Sequence, residues 1–141
     1  KLGGQVMENK IIFSVLAFLF IYIASIVAMT LVMMASGLDG QRFAFHGYAP
    51  VDAAERAKQL KSWEINSIKQ KQTQLLIETP YRNNAMFTSL LENLKGNTRL
   101  CVARSLTTSD EWVRTRTVAQ WKSQPAPVLD KHPTLFLYQA Q

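Results

Sequence analysis

Thr73-Gln-Leu-Leu-Ile-Glu-Thr-Pro-Tyr-Arg-Asn-Asn84 decides how the rest of this chain is read. Gln74–Ile77 is a short apolar run of buried-strand type, and Glu78 closes it with a polar turn. Thr79 suits a helix N-cap, where a hydroxyl can accept from a free first-turn amide. Pro80 suits the first helical position, where its missing N–H costs nothing. Phe87, Leu90, Leu91 and Leu94 then recur at helical spacing, and Gly96-Asn97 is expected to end the helix. The stretch therefore predicts a strand-to-helix turn crowded with Glu78, Tyr81, Arg82, Asn83 and Asn84. In open α/β sheets ligands bind at such carboxyl ends of strands.

Outward from this turn the chain reads as a small α/β unit. Upstream, Phe43–Phe45 is a short strand candidate closed by His46–Pro50. A helix from Val51 to about Gln70 opens on the capping-box pattern Asp52-Ala-Ala-Glu55, with Ala53, Ala57, Leu60, Ile65 and Ile68 as its inner face. Arg56, Lys58, Lys61, Lys69 and Lys71 form a basic outer side, which suits either a solvated face or phosphate contact. Downstream, Arg99–Arg104 reads as a second buried strand with Leu106–Asp110 as its polar exit. Trp112–Thr117 alternates as an edge strand, Val118–Lys122 makes a helical turn, and Thr134–Tyr138 is the last strand.

The 141 residues allow one domain, and the +6 net charge is concentrated beyond Gly40. A single cysteine, Cys101, excludes an internal disulfide framework and sits in an apolar run that favours burial over reactivity. His46 has no second metal-ligand type at useful spacing and reads as structural; His132 before Pro133 reads as loop geometry. There is no metal-ligand cluster, no Ser/His/Asp or Cys/His spacing, and no glycine-rich phosphate loop.

Ile11–Ala35 carries no charge and exceeds the ~20 residues needed to cross a bilayer. Ser14, Ser25 and Thr30 can bond back to helix carbonyls. A core helix apolar all round needs a larger protein around it, and a signal peptide has a shorter apolar region, so a signal anchor is expected. The expected helix, Ile11–Met34, makes few contacts with residues 50–141. The domain division is a hydrophobic, transmembrane-type helix over residues 1–38 and an α/β domain over 39–141. The chain opens on Lys1, so the natural start is expected upstream.

Two family resemblances enter here. Residues 2–39, with Leu2-Gly-Gly-Gln-Val6, Ile11–Ile23 and Thr30–Asp39, resemble the first helix of the last pore repeat of Trk/Ktr-type potassium-uptake subunits. That family's filter loop does not follow in Gln41–Gly47, so no transport is expected.

From about Ala35 to Tyr138 the chain resembles the C-terminal half of SAM-dependent methyltransferases of the tetrapyrrole-methylase superfamily, in the branch that methylates a ribose of small-subunit rRNA. Four motifs carry it in order: Ala35–Pro50, Gln74–Asn84, Thr98–Thr107 and Lys131–Leu137. The fold this implies is a small mixed-sheet α/β domain of tetrapyrrole-methylase type. The resemblance places Glu78, Thr79, Pro80, Arg82, Leu106, Thr107, Pro133 and Thr134 at a cleft that holds S-adenosyl-L-methionine. Arg82 then either holds an anion or pairs with Glu78. The family's N-terminal domain, with most cofactor contacts, has no counterpart here, so the fragment is expected to be inactive and not to bind the cofactor alone.

By the same resemblance rRNA is an expected partner and a homodimer an expected assembly; the membrane is a partner through Ile11–Ala35. The alternative is a membrane-anchored basic module that binds RNA or protein without catalysis. The Lys/Arg-rich sequence after the helix favours a cytoplasmic α/β domain, whereas the transporter resemblance would place it outside. Met33–Asp39 fits both resemblances, which marks it as the junction of a composite chain. Amplification of source DNA across the codons for Met33–Gly40 tests that reading: one product spanning both halves argues for a true fusion.

Overall fold

The structure, a computed structural model, describes residues 2–141, without the side chains of residues 2, 25, 26 and 28–30. Ser25 and Thr30, expected to bond back to their helix, lie outside the described side chains. The chain divides into two compact units between Leu31 and Val32.

The first unit is helical and belongs to α1, Leu2–Ser36. Gly3–Ala24, with mean hydropathy 1.8, is long and apolar enough to cross a membrane, the one such segment among the described residues. Every side chain in it is exposed. The last turn of α1 belongs to the second unit. There Val32, Met33 and Ser36 are buried.

The second unit is a mixed five-stranded sheet in the order β1-β2-β5-β3-β4. β1, Phe43–Tyr48, runs parallel to β2, Thr73–Glu78, and α2, Ala53–Gln70, makes the crossover. A 3₁₀ turn, Pro80–Arg82, leads into α3, Asn83–Asn93. β3, Arg99–Arg104, pairs antiparallel with both β4, Trp112–Thr117, and β5, Thr134–Gln139. The five-residue α4, Val118–Lys122, follows β4 and carries a full capping box from Thr117 and Gln120. β5 enters between β2 and β3, so the last strand in sequence is central, and the alternating Trp112–Thr117 segment lies at an edge.

Four local expectations change. β1 continues past Phe45: Phe45 pairs with Leu75 and Tyr48 with Ile77, so His46 and Gly47 bulge opposite one residue, and Gly47 has φ +69. The bulge turns His46 onto Trp63, stacked with ring centroids 4.0 Å apart, and lets it share a hydrogen bond with Gln74 at 2.5 Å, a structural role. On α2 the buried face is Leu60, Trp63, Glu64 and Ser67, whereas Ile65 and Ile68 are exposed. Each isoleucine sits one residue past a buried position, Glu64 and Ser67 respectively, at the margin of the buried stripe. The Asp52 cap is present, accepting from Glu55 N, and α2 ends on left-handed Lys71.

The start and end of α3 differ too. Thr79 caps only the 3₁₀ turn and without a side-chain bond to the backbone. The α-helix ends at Asn93, before Gly96, because Leu94 turns extended to bury its side chain.

The core lies between helices and sheet, with Leu60, Leu76, Phe87, Leu100, Trp121 and Phe136 in one cluster. Its aromatic polar ends are satisfied. Trp121 Nε1 donates to Leu100 O at 2.9 Å, and Tyr138 OH to Leu60 O at 3.2 Å. Glu64, buried, accepts from Lys95 N at 2.9 Å and Thr98 Oγ1 at 2.6 Å, pinning α2 to the α3–β3 connection.

Candidate functional site

Strand order brings the sequence motifs to one end of the sheet. Glu78 on β2 is the register partner of Thr134 on β5, Thr134 that of Arg104 on β3, and Arg104 that of Trp112 on β4. Ser105 N donates to Pro133 O at 2.8 Å, which ties the β3 exit to the start of β5. Leu106 and Thr107 follow directly in a turn where Ser105 and Thr107 hold left-handed φ of 51 and 65. Thr79, Pro80 and Arg82 leave the neighbouring strand end. All eight residues singled out in the sequence thus belong to one edge.

Their exposures divide them. Glu78 and Thr134 are buried; Thr79, Pro80, Arg82 and Leu106 are half-buried; Thr107 and Pro133 are exposed. Glu78 Oε1 accepts from Thr79 N at 2.7 Å and lies 3.3 Å from Arg82 Nε. Arg82 Nε also reaches Thr79 Oγ1 at 3.3 Å. The guanidinium therefore pairs with Glu78 while its outer nitrogens keep no protein partner among the described residues. Thr107 N donates to Glu111 Oε1 at 3.2 Å, which closes the turn after β3.

Asn83 is the residue that composition alone does not single out. It reads as a turn asparagine, yet it is fully buried. Its Nδ2 donates to His132 O at 2.7 Å, Leu129 O at 3.1 Å and Thr134 Oγ1 at 3.1 Å. Asn83 thereby holds the segment before β5 against the start of α3. Its Oδ1 is buried with no hydrogen-bond partner, an acceptor left over at the site edge. His132, at the same place, shares a hydrogen bond with Ser105 Oγ through Nδ1 at 3.1 Å. Cys101, three residues inward from Arg104 along β3, is fully buried, and burial lifts its thiol to about 11 despite a hydrogen bond with Thr115. Its place is that of a packing residue.

Comparison with known proteins points one way. Over 86 residues the chain is 30% identical to "Ribosomal RNA small subunit methyltransferase I" of Mycobacterium bovis and of Mycobacterium tuberculosis. The match takes in 61% of this chain and 29% of those proteins. Among solved structures, the methyltransferase CobJ superposes with a TM-score of 0.52 at 15% identity, over 80% of this chain and 47% of CobJ. The chain shares a methyltransferase fold. It spans under a third of the length of the curated relatives it matches. These likenesses support the tetrapyrrole-methylase resemblance of the four motifs. No protein-family profile matches the chain. The potassium-uptake resemblance of the first helix rests on its sequence alone.

The side chains at this edge are of the types that one wall of an S-adenosylmethionine site would need. Leu106 and Pro133 offer apolar surface and the left-handed turn at Thr107 presents backbone, whereas the unpartnered Asn83 Oδ1 is buried. Nothing among the described residues closes the opposite side.

Proposed function

We propose that the α/β unit is the C-terminal half of an S-adenosylmethionine-dependent methyltransferase of the tetrapyrrole-methylase superfamily, acting on a ribose hydroxyl of small-subunit rRNA. The supporting observation is the register row Glu78–Thr134–Arg104, which gathers three separate sequence motifs at one sheet edge. When bound, S-adenosylmethionine supplies a methyl group made electrophilic by its sulfonium. Leu106, Thr107 and Pro133 hold one side of the cofactor; Asn83 and the Glu78–Arg82 pair keep that wall rigid. Fixing the two reactants in line is the main catalytic gain such a wall can give. A second α/β domain supplies the other wall. α1 tethers the unit to a membrane with the basic domain on the cytoplasmic side; release from membranes by an alkaline carbonate wash would refute the tether.

Calorimetry tests the activity. The full chain in non-ionic detergent is titrated with S-adenosylmethionine, alone and with the N-terminal half of the Mycobacterium tuberculosis relative supplied in trans. Heat is expected only from the mixture. Absence of heat in the mixture, with RNA retained, would overturn the enzyme reading in favour of a basic binding module.

A further inference from the structure

The edge strand β4 carries an arrangement that the methyl-transfer reading does not use. Trp112, Arg114 and Arg116 share one side of the strand and lie opposite Arg104, Val102 and Leu100 of β3. Arg104 and Arg114 each stand over the Trp112 ring at 5.5 Å from its centroid, and Arg116 stands over Trp121 at 4.9 Å. Stacking on an indole holds a guanidinium's plane without using its in-plane N–H donors. Arg104 and Arg114 each spend one nitrogen, on Val128 O and Val113 O respectively, both at 2.7 Å. No carboxylate lies within ion-pair distance of these three arginines among the described residues. The nearest acid in sequence, Glu111, is engaged by the backbone of Thr107.

We propose that Arg104, Arg114 and Arg116 form a phosphate track for single-stranded RNA, pre-oriented by Trp112 and Trp121. Residues two apart on a strand are spaced by about 6.8 Å, comparable with the step between neighbouring phosphates of an extended strand. The track begins at the candidate site, since Arg104 is the register partner of Thr134, and runs away from it along β4. An RNA held there leads directly to the edge where the acceptor hydroxyl is needed. A second copy of the chain is a poor occupant of this open strand edge, because the same arginines would face each other. The choice of RNA rests on the proposed acceptor, but binding is read without cofactor, so a failure of methyl transfer leaves it standing.

The test is fluorescence anisotropy of the full chain in non-ionic detergent with a short, labelled, mixed-sequence single-stranded RNA across a salt series. Each phosphate contact on a single strand contributes about 0.7 to the slope of log K against log salt. The Arg114→Gln, Arg116→Gln pair is expected to flatten that slope by about 1.4, which is roughly a twentyfold loss of affinity at about 0.1 M salt. Arg114→Gln alone, at an exposed position, is expected to give about half of the slope change and serves if the pair fails to fold. An unchanged slope in both variants, or no RNA binding by the parent chain, overturns the proposal. So does a loss confined to micelles doped with phosphatidylserine, which would assign the arginines to lipid headgroups.

Discussion

Asn83 offers the sharpest test of how the candidate edge is held. Its amide group donates to the carbonyls of His132 and Leu129 and to the Thr134 hydroxyl. An NH₂ has only two protons, so three short contacts amount to two hydrogen bonds. Both carbonyls keep other donors when the amide is removed: His132 O accepts from Thr134 Oγ1, and Leu129 O from His132 N. Asn83→Ala therefore loses two bonds worth about 0.5–1.5 kcal/mol each, without orphaning either carbonyl. It also removes the unpartnered Oδ1, which returns part of that loss. With a small cavity added, the net destabilisation is about 2 kcal/mol.

Asn83→Asp has nearly the same shape but sets an oxygen against three acceptors. The destabilisation should be larger, on the order of 4 kcal/mol at neutral pH, because a buried carboxylate gains no donor there. Its acid is held above the ordinary range in the folded state. The unfolded chain ionises first, so the deficit should grow as pH rises above about 4 and shrink below it. Urea unfolding of the full chain in micelles, followed by fluorescence of Trp63, Trp112 and Trp121, reads all three proteins. Equal stability of the Asp and Ala variants would refute the assigned amide orientation, and with it the account of how the segment before β5 is fixed.

Three further outcomes are expected. Glu64→Ala should cost about 3 kcal/mol in the same assay, since its carboxylate accepts from both Lys95 N and Thr98 Oγ1 in a buried setting; a loss below about 1 kcal/mol would contradict the pinning role. Cys101 should resist maleimide in the folded protein and react after denaturation. Its thiol is raised from 9.0 to about 11, so its stabilising contribution is complete below pH 9.0 and fades as pH climbs towards the folded value; rapid labelling under native conditions counts against this. S-adenosylmethionine titrated into the chain alone should give no measurable heat, and a micromolar constant would show that one wall suffices.

The elements were more legible in the sequence than their neighbours. Gln74–Ile77 and Thr134–Tyr138 announce strands by their β-branched and aromatic residues, and Trp112–Thr117 alternates as an edge strand must. What no local pattern carries is the insertion of β5 between β2 and β3, a contact between residues far apart in sequence. Only that insertion places Pro133 and Thr134 beside Glu78 and Arg104. The inner face of α2 was misleading for a different reason. Ser67 and Glu64 are buried because their polar atoms are satisfied: Ser67 Oγ donates to Gln72 O at 2.6 Å and accepts from Ala140 N at 3.0 Å. A search for apolar periodicity passes over such residues and selects Ile65 and Ile68 instead. Asn83 escaped in the same way, since a turn asparagine and a buried clamp look alike until the partners are known.

The apolar run at the start of the chain shows how one composition can serve two purposes. Through Gly3–Ala24 the side chains are exposed all round, as a lipid-facing helix requires. From Val32 the same helix buries one face, and its end is built into the sheet. Ser36 Oγ donates to Met33 O at 2.7 Å and accepts from Leu38 N at 3.1 Å, while Gly37 takes φ +70 and Leu38 is buried. This is the glycine ending with a following hydrophobic contact that closes helices in many folds. Thr115 Oγ1 on β4 then donates to Ser36 O at 2.6 Å, Thr73 Oγ1 on β2 to Asp39 O at 2.8 Å, and Asp39 N to Gln139 Oε1 at 3.1 Å on β5. Three strands hold the stretch that the two sequence resemblances have in common. Met33–Asp39 therefore belongs structurally to the α/β unit, and its likeness to a pore helix follows from the shared chemistry of ending a helix. The boundary between the apolar helical unit and the α/β unit falls before Val32, the first buried residue of α1 among the described side chains.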